Sequence, residues 1–340
     1  MTTPNAYLDM TPAEVRDVLA AAGHKAFRAK QLADWVYVKG VTDLSVMSNL
    51  PDAVTEEFTF LTSTIAAQAS SRDGTTKLLL DLYDACQVET VLIPSDKRAT
   101  ACVSTQAGCA VGCRFCASGL GGLQRNISSG EILQQLVHLR QATGTAPTNV
   151  VFMGMGEPLA NYDATIAAVR AIVDPERFGI SARRVTVSTI GLPGAIRRLA
   201  GEDLAITLAI SLHAPTDELR REIVPTAAKH TIDEILAAAA EFYQARKREV
   251  TIEYVLLAGV NDAAHHARNL GRLAQRLRCN VNLIRYNPVE SLPFAPSSRN
   301  ATEAFITELR ATGTNATLRK SRGADIAAAC GQLRGASSRG

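Results

Sequence analysis

The chain has 340 residues, 46% of them hydrophobic and 20% charged, a balance that excludes disordered and fibrous classes and allows one large domain or two ordinary ones. A net charge of +3 permits a polyanionic partner without requiring one. No run of about 18 apolar residues exists for a membrane span, and the first ten residues carry neither the basic nor the apolar region of a secretory signal; a soluble, cytoplasmic protein is expected.

The first sixty residues predict a small helical module. Thr11-Pro12-Ala13-Glu14 offers an N-cap, a proline at the first helical position and a capping-box glutamate, and Gly23 is placed to end that helix. Periodic stretches at Phe27–Val38 and Pro51–Phe60 predict two more helices. Thr76–Tyr83 and Gln87–Ile93 predict a hairpin around Asp84-Ala85. From about residue 98 short β-type runs recur: Ala101–Ser104, Asn149–Met153, Val185–Ser188, Leu204–Ser211, Val250–Leu257, Val281–Arg285 and a weaker Ala316–Arg319. Helical stretches fall between most of them: Ser129–Thr143, Asn161–Val173, Leu192–Leu199, Thr231–Arg246 and Asp262–Leu277. This alternation, with several runs apolar on both faces, predicts an α/β fold with a parallel sheet, and six units fit a partial, TIM-like (β/α)6 barrel. The expected divisions are a helical accessory domain over 1–63, a β-hairpin linker over 64–97, a core over 98–335 and a flexible Gly/Ser-rich tail over 336–340.

Four of the seven cysteines fall between residues 102 and 116. A secreted disulfide scaffold is short and cysteine-dense, unlike this chain. Cys109-Ala-Val-Gly-Cys113-Arg-Phe-Cys116 sets three thiols in one glycine-containing loop. Thiolates hold iron–sulfur clusters and zinc. Structural zinc asks for four ligands, and no second CxxC is present; three ligands on a cubane leave one iron open for catalysis. Zinc and unligated thiols stay open as alternatives at this point. The other unusual residues, Gly154 to Pro158, Ser188, Ser211-Leu212-His213 and Asn287-Pro288, also fall where β runs end. Barrels of this kind build active sites from the loops at those ends.

The CxxxCxxC spacing after an early strand, with Phe115 before the last cysteine, resembles the radical S-adenosylmethionine (SAM) superfamily. Glu89–Pro94, Cys102–Cys109, Gly154–Pro158, Ala209–Pro215 and Arg322–Leu333 resemble the RlmN/Cfr family of dual-specificity RNA adenine methyltransferases, and the likeness runs over nearly the whole chain. It implies a radical SAM barrel holding a [4Fe-4S] cluster on Cys109, Cys113 and Cys116, and two SAM molecules per turnover. In the family's mechanism, one SAM methylates the cysteine that Cys330 matches. The other, bound at the open iron, is cleaved to a 5′-deoxyadenosyl radical that takes a hydrogen from the S-methyl group, and the methylene radical adds to adenine. Glu89 is then implied as acceptor of the ring proton, and Cys102 as the thiol that releases the adduct through a disulfide bond with Cys330. Alone, Glu89 reads as a solvated surface charge and Cys330 as a small buried helix residue. Gly156 and Glu157 are implied at the SAM amino group, with Ser188, Ser211, Leu212, His213 and Asn287 as further SAM contacts.

The implied substrates are an adenosine of 23S rRNA in the peptidyl-transferase centre and the adenosine 3′ of the anticodon in some tRNAs. Methylation is expected at C2; the Cfr branch, acting at C8, shares the same cysteines. An electron donor such as flavodoxin, a monomeric state and no membrane partner are expected. An RNA-binding role falls to the N-terminal domain, with Lys25, Arg28, Lys30, Lys97, Arg98, Arg114, Arg125, Arg319, Lys320 and Arg322 as candidate phosphate contacts. One departure is Arg285 in Leu283-Ile284-Arg285-Tyr286-Asn287-Pro288, where the family often has proline; it restores a backbone N–H and adds a charge beside Asn287. The rivals are a zinc-containing RNA-binding protein and another radical SAM enzyme, which would need neither Cys102 nor Cys330.

Overall fold

The computed structural model describes residues 5–335, and the tail predicted over 336–340 lies outside them. Helix α1 (Pro12–Ala21) carries the reciprocal cap read from the sequence: Thr11 Oγ1 accepts from the Glu14 amide and the Glu14 carboxylate accepts from the Thr11 amide. Helix α2 (Phe27–Ala33) runs on into a π turn over Asp34–Lys39, ended by Gly40. The third helix is shorter than its pattern, because α3 covers only Asp52–Thr55. Beyond it Thr59 bridges to Ala6, and Phe58 and Phe60 close on the Tyr7 ring at 5.5 and 5.0 Å between centroids. Aromatic packing against a distant residue overrides local periodicity there.

Strands β1 (Thr64–Ser70), β2 (Thr76–Asp81) and β3 (Gln87–Ser95) are antiparallel neighbours, and β3 pairs antiparallel with β4 (Arg98–Cys102). The hairpin expected around Asp84-Ala85 is therefore part of a three-stranded wing continuous with the main sheet, not a separate linker. Strands β5 (Gln106–Gly108) and β6 (Leu123–Asn126) form their own ribbon around the cysteine loop; three or four residues are too few to show a period. The remaining elements are α4 (Ser129–Thr143), β7 (Asn149–Phe152), α5 (Tyr162–Val173), β8 (Val185–Thr189), α6 (Pro193–Gly201), β9 (Thr207–Ser211), α7 (Asp217–Ile223), α8 (Ile232–Arg246), β10 (Val250–Leu256), α9 (Ala264–Ala274), β11 (Cys279–Arg285), α10 (Arg299–Ala311) and β12 (Ala316–Arg319). The ten-stranded sheet runs β1-β2-β3-β4-β7-β8-β9-β10-β11-β12. From β4 onward every neighbouring pair is parallel, as the alternating pattern predicts. Helices α7 and α10 carried no signal singled out in the sequence. No helix among the described residues is long and apolar enough to cross a membrane.

Helix α4 joins the N-terminal module to this sheet. It is buried without a break from Gly130 to Leu139, as a helix covered on two sides must be. Asp9 Oδ1 accepts from the Gly130 amide at 2.5 Å and from Ser129 Oγ at 2.9 Å, which anchors the module at the positive end of the helix. Buried Gln134 is the next tie. Its Oε1 accepts from the Thr62 and Ser63 amides, both at 2.9 Å, and from Ser63 Oγ at 2.6 Å, while Nε2 donates to Thr62 Oγ1 at 2.8 Å. Gln134→Ala strands these groups away from water and is expected to lower the unfolding free energy by about 3 kcal/mol. Urea unfolding measures that loss, and limited proteolysis should cut the variant near residues 61–64 first; wild-type stability would mean that other contacts hold the junction.

Candidate active site

The cysteine loop spans the gap between β5 and β6. Gly122 O accepts from the Cys109 amide at 2.9 Å, Ile223 O from the Arg114 amide at 2.9 Å, and Gly331 O from the Ala117 amide at 2.8 Å, so α7 and the C-terminal segment both brace it. Cys109, Cys113 and Cys116 line one wall of a cavity of about 920 Å³, open mouth included, at the C-terminal ends of the parallel strands. Burial pushes all three thiols up, Cys109 to about 11, and for Cys113 the charges of Cys116 and Cys109 push the same way. Soft thiols that resist ionisation together suit a cationic iron centre, which reverses that balance. Among the described residues no three His, Cys, Asp or Glu side chains converge on a single ion; ligands of a cuboidal cluster attach at separate corners and do not need to.

The facing walls bring together most of the residues singled out in the sequence. Gly156, Glu157, Ser188, Ser211, His213 and Cys330 all line the cavity. Gly156 has φ +100°, and a Cβ there would lie 2.6 Å from Gln106 Cβ, so only glycine lets this loop pass so close to β5. Glu157 is buried, and its carboxylate accepts from the Leu159 amide at 2.9 Å and the Ile190 amide at 2.7 Å. It thereby stitches the loop after β7 to the loop after β8; burial raises its pKa while these donors oppose the rise. Ser188 and Ser211 share a hydrogen bond of 3.1 Å between hydroxyls. His213 Nδ1 accepts from the Val255 amide at 3.1 Å, which leaves the proton on Nε2. Burial first, and the charge of Arg220 second, lower its pKa to about 3, so the ring is a neutral donor, edge-on to Phe115 at 5.0 Å between centroids.

Two expected SAM contacts stand elsewhere. The Leu212 side chain is in the core, and its carbonyl accepts from Arg220 Nε at 3.3 Å. Asn287 lines an adjacent cavity, and its Nδ2 donates to Cys330 O at 3.2 Å. Arg285 turns away to Ser297 O at 3.1 Å. The adjacent cavity holds Cys102, at the end of β4, together with Cys330, and shares Met153, Ile284, Arg319 and Cys330 with the first. Burial, then the charge of Cys330, push the Cys102 thiol up to about 12. Cys330 itself is exposed, beside Gly331 at φ +84°, unlike the buried helix residue that it resembles in isolation.

Glu89 sits within β3, buried rather than solvated, and lines neither cavity. Its Oε1 pairs with Lys77 Nζ at 2.8 Å, and Oε2 accepts from the Arg334 amide at 2.9 Å. Among the candidate phosphate contacts, Lys25, Lys30, Lys97, Arg98, Arg114 and Lys320 are exposed. Arg125 is instead held by Asp84 and Glu131, Arg28 donates to Gln31 and Asn49, and Arg322 faces Asp73 at 3.9 Å. Arg319 turns inward, to Glu253 Oε2 at 3.4 Å. Glu253 was not singled out in the sequence, although a carboxylate inside the apolar run Val250–Leu256 is an anomaly that signals a cavity-facing position.

A parallel strand–helix sheet with a three-cysteine loop over its strand ends defines the radical SAM class, and comparison with known proteins agrees. Residues 103–270 match the Radical SAM superfamily, and residues 6–61 match the ribosomal RNA large subunit methyltransferase N-terminal domain. Proteins named dual-specificity RNA methyltransferase RlmN from Rhodopirellula baltica and Symbiobacterium thermophilum are 42% and 45% identical, over 97% and 96% of this chain and 91% and 90% of theirs. The solved structure of a radical SAM methyltransferase from Sphaerobacter thermophilus superposes with a TM-score of 0.94 at 43% identity, covering 98% of this chain and all of that one. The chain belongs to the RlmN family of radical SAM dual-specificity RNA methyltransferases.

Cys102 and Cys330 differ in exposure, and that difference is measurable. Iodoacetamide at pH 8 attacks thiolates, and a thiol raised to about 12 is scarcely ionised there. Peptide mapping of the native protein should find Cys330 labelled at least about a hundredfold faster than Cys102. Equal rates would contradict the burial of Cys102.

Proposed function

We propose that the protein methylates C2 of an adenine in 23S rRNA and in tRNA, with Cys330 as the methyl carrier. The supporting observation is that Cys330, far along the chain from the cysteine loop, lines the same cavity as Cys109, Cys113 and Cys116 and also the adjoining cavity of Cys102. Cys109, Cys113 and Cys116 would hold a [4Fe-4S] cluster, and Gly156, Glu157, Ser188, Ser211 and His213 would receive SAM. When bound, that pair supplies a radical able to take hydrogen from an S-methyl group, which a non-nucleophilic ring carbon requires.

The protein's own residues do the rest. Cys330 is exposed, so its sulfur can accept a methyl group and present it to a base that has left its stack. Arg319 lines both cavities, and its charge opposes the rise that burial imposes on the Cys102 thiol. Glu89 accepts the ring proton once the base is bonded to the carbon on Cys330, and the odd electron that radical addition leaves on the ring would go back to the oxidised cluster held by Cys109, Cys113 and Cys116, which leaves a closed-shell thioether. Cys102 then attacks Cys330 Sγ. The S–S bond forms as the S–C bond breaks, its electron pair takes up a proton at carbon, and a methyl group stays on the base. Restoring both thiols requires an external reductant, and an electron donor of the flavodoxin kind feeds the cluster. Domain roles follow the same reading: residues 1–63 help to hold RNA, and residues 98–335 carry the chemistry, in a monomer in the cytoplasm.

Intact-mass analysis of the anaerobically purified protein should show about one extra methyl group, mapping to Cys330. Cys330→Ala should carry no such methyl group and should not methylate RNA. Cys102→Ala should accumulate a covalent protein–RNA adduct. Nucleoside analysis of the RNA product should give 2-methyladenosine; 8-methyladenosine would move the activity to the other ring position, and full activity in Cys330→Ala would remove the carrier role.

A further inference from the structure

Arg220 heads the fully buried large side chains, at 1% exposure. It projects from α7 beneath the cysteine loop. Its Nε donates to Leu212 O at 3.3 Å and its Nη2 to Ile190 O, the carbonyls that follow β9 and β8. Among the described residues no carboxylate forms an ion pair with it; neighbouring Arg221 takes Glu218, and Asp217 Oδ1 accepts from the Ile232 amide at 2.8 Å. A buried guanidinium without a counter-charge is costly, and proteins retain one when an anion belongs beside it.

The nearby group of suitable sign is the cysteine loop. Ile223 O, at the end of α7, accepts from the Arg114 amide at 2.9 Å, and Thr226 Oγ1 donates to Val111 O at 3.2 Å. Ile223 and Val224 also pack in one apolar cluster with Phe115, against Val111, Cys113 and Cys116. Burial pulls the Arg220 pKa down to about 10, and the charge of Cys113, then that of the Asp217 carboxylate, which forms no ion pair with it, oppose the fall.

We propose that Arg220 is a positioning residue for the electrostatics of the cluster: a fixed cation behind Cys113 that favours the reduced state. The inference rests on the cluster reading above. Reduction adds one electron, delivered by a low-potential one-electron donor, to an assembly that its three thiolates already make net negative. A cation shielded from solvent lowers the energy of the more negative state, and the surroundings screen it little. Its hydrogen bonds to the two loop carbonyls keep that charge in place.

The test is anaerobic reconstitution of the full chain, with iron and sulfide counted, followed by poising at a fixed potential with dithionite and a viologen mediator and counting reduced cluster by EPR. Arg220→Met should load iron and sulfide as the wild type does, while its reduced-to-oxidised ratio falls about tenfold, 59 mV for a one-electron couple. Arg220→Lys, which keeps the charge, should stay within about twofold of the wild type. A loaded Arg220→Met with a wild-type ratio overturns the proposal, as does a loaded Arg220→Lys with the full loss. Where Arg220→Met fails to load, Arg220→Gln, a neutral donor, carries the same comparison. Where neither neutral variant loads, loading of Arg220→Lys at the wild-type ratio supports the charge, and its failure leaves Arg220 a structural tie only. A wild-type protein that takes up no iron and sulfide sinks the cluster reading instead, which keeps the two failures distinct.

Discussion

The parallel part of the sheet begins at β4 and ends at β12, and no hydrogen-bonded pairing joins these two strands. Cys102 ends the first of them and Cys330 follows the last, so the approach of these two thiols depends on how the gap between them is bridged. The bridge is the segment from Gly323 to Gly335. Its Gly323 amide donates to Asp73, Asp325 accepts from Ser71, and Ala327 O accepts from Lys77 Nζ at 3.1 Å, all on the antiparallel wing. Cys330 O, Gly331 O and Leu333 O then accept from Asn287, Ala117 and Ser118. One stretch of irregular chain thus spans the wing, β11 and the cysteine loop, and it brings together thiols that local structure alone would leave apart.

Charge within the paired cavities follows one rule. The carboxylates and the imidazole held there each meet a hydrogen-bonding partner. Glu253 has Asn282 and Arg319, Glu157 has two backbone amides, and His213 is kept neutral by burial and by an amide on Nδ1. The thiols of the cysteine loop are the exception, since burial and mutual repulsion oppose the thiolate that metal binding needs. A preformed cavity with balanced walls and unbalanced thiols is arranged to gain a cation, and Arg220 stands behind it, held by two carbonyls and, among the described residues, in no ion pair.

Much of this was legible in the residues themselves. The alternation of apolar runs with amphipathic stretches is a local property, and it placed all seven parallel strands and the helices with strong caps, Thr11, Ser128 and Thr231 among them. Strand ends could be read as one site because a parallel sheet puts all those ends on one side. What stayed hidden depends on distant packing. Phe58 and Phe60 fit a helical period until Tyr7 claims both rings. Arg125 and Arg319 look like free cations until Asp84 from the β2–β3 turn, Glu131 from α4 and Glu253 from β10 reach them. Arg220, in a run of charged residues, has the text of a surface helix and the burial of a core residue.

Glu89 shows how the bridging segment couples two parts of the site. Its carboxylate is occupied on both oxygens, by Lys77 and by the Arg334 amide, and it lies outside both cysteine-lined cavities. Arg334 follows Cys330 by only four positions, so the segment that carries this exposed thiol also carries the amide bonded to Glu89. Lys77 adds to the link, because it holds Glu89 and Ala327 O at once. The wing, the Glu89 carboxylate and the segment that carries Cys330 therefore hold one another in place, and the position of each depends on the same few bonds.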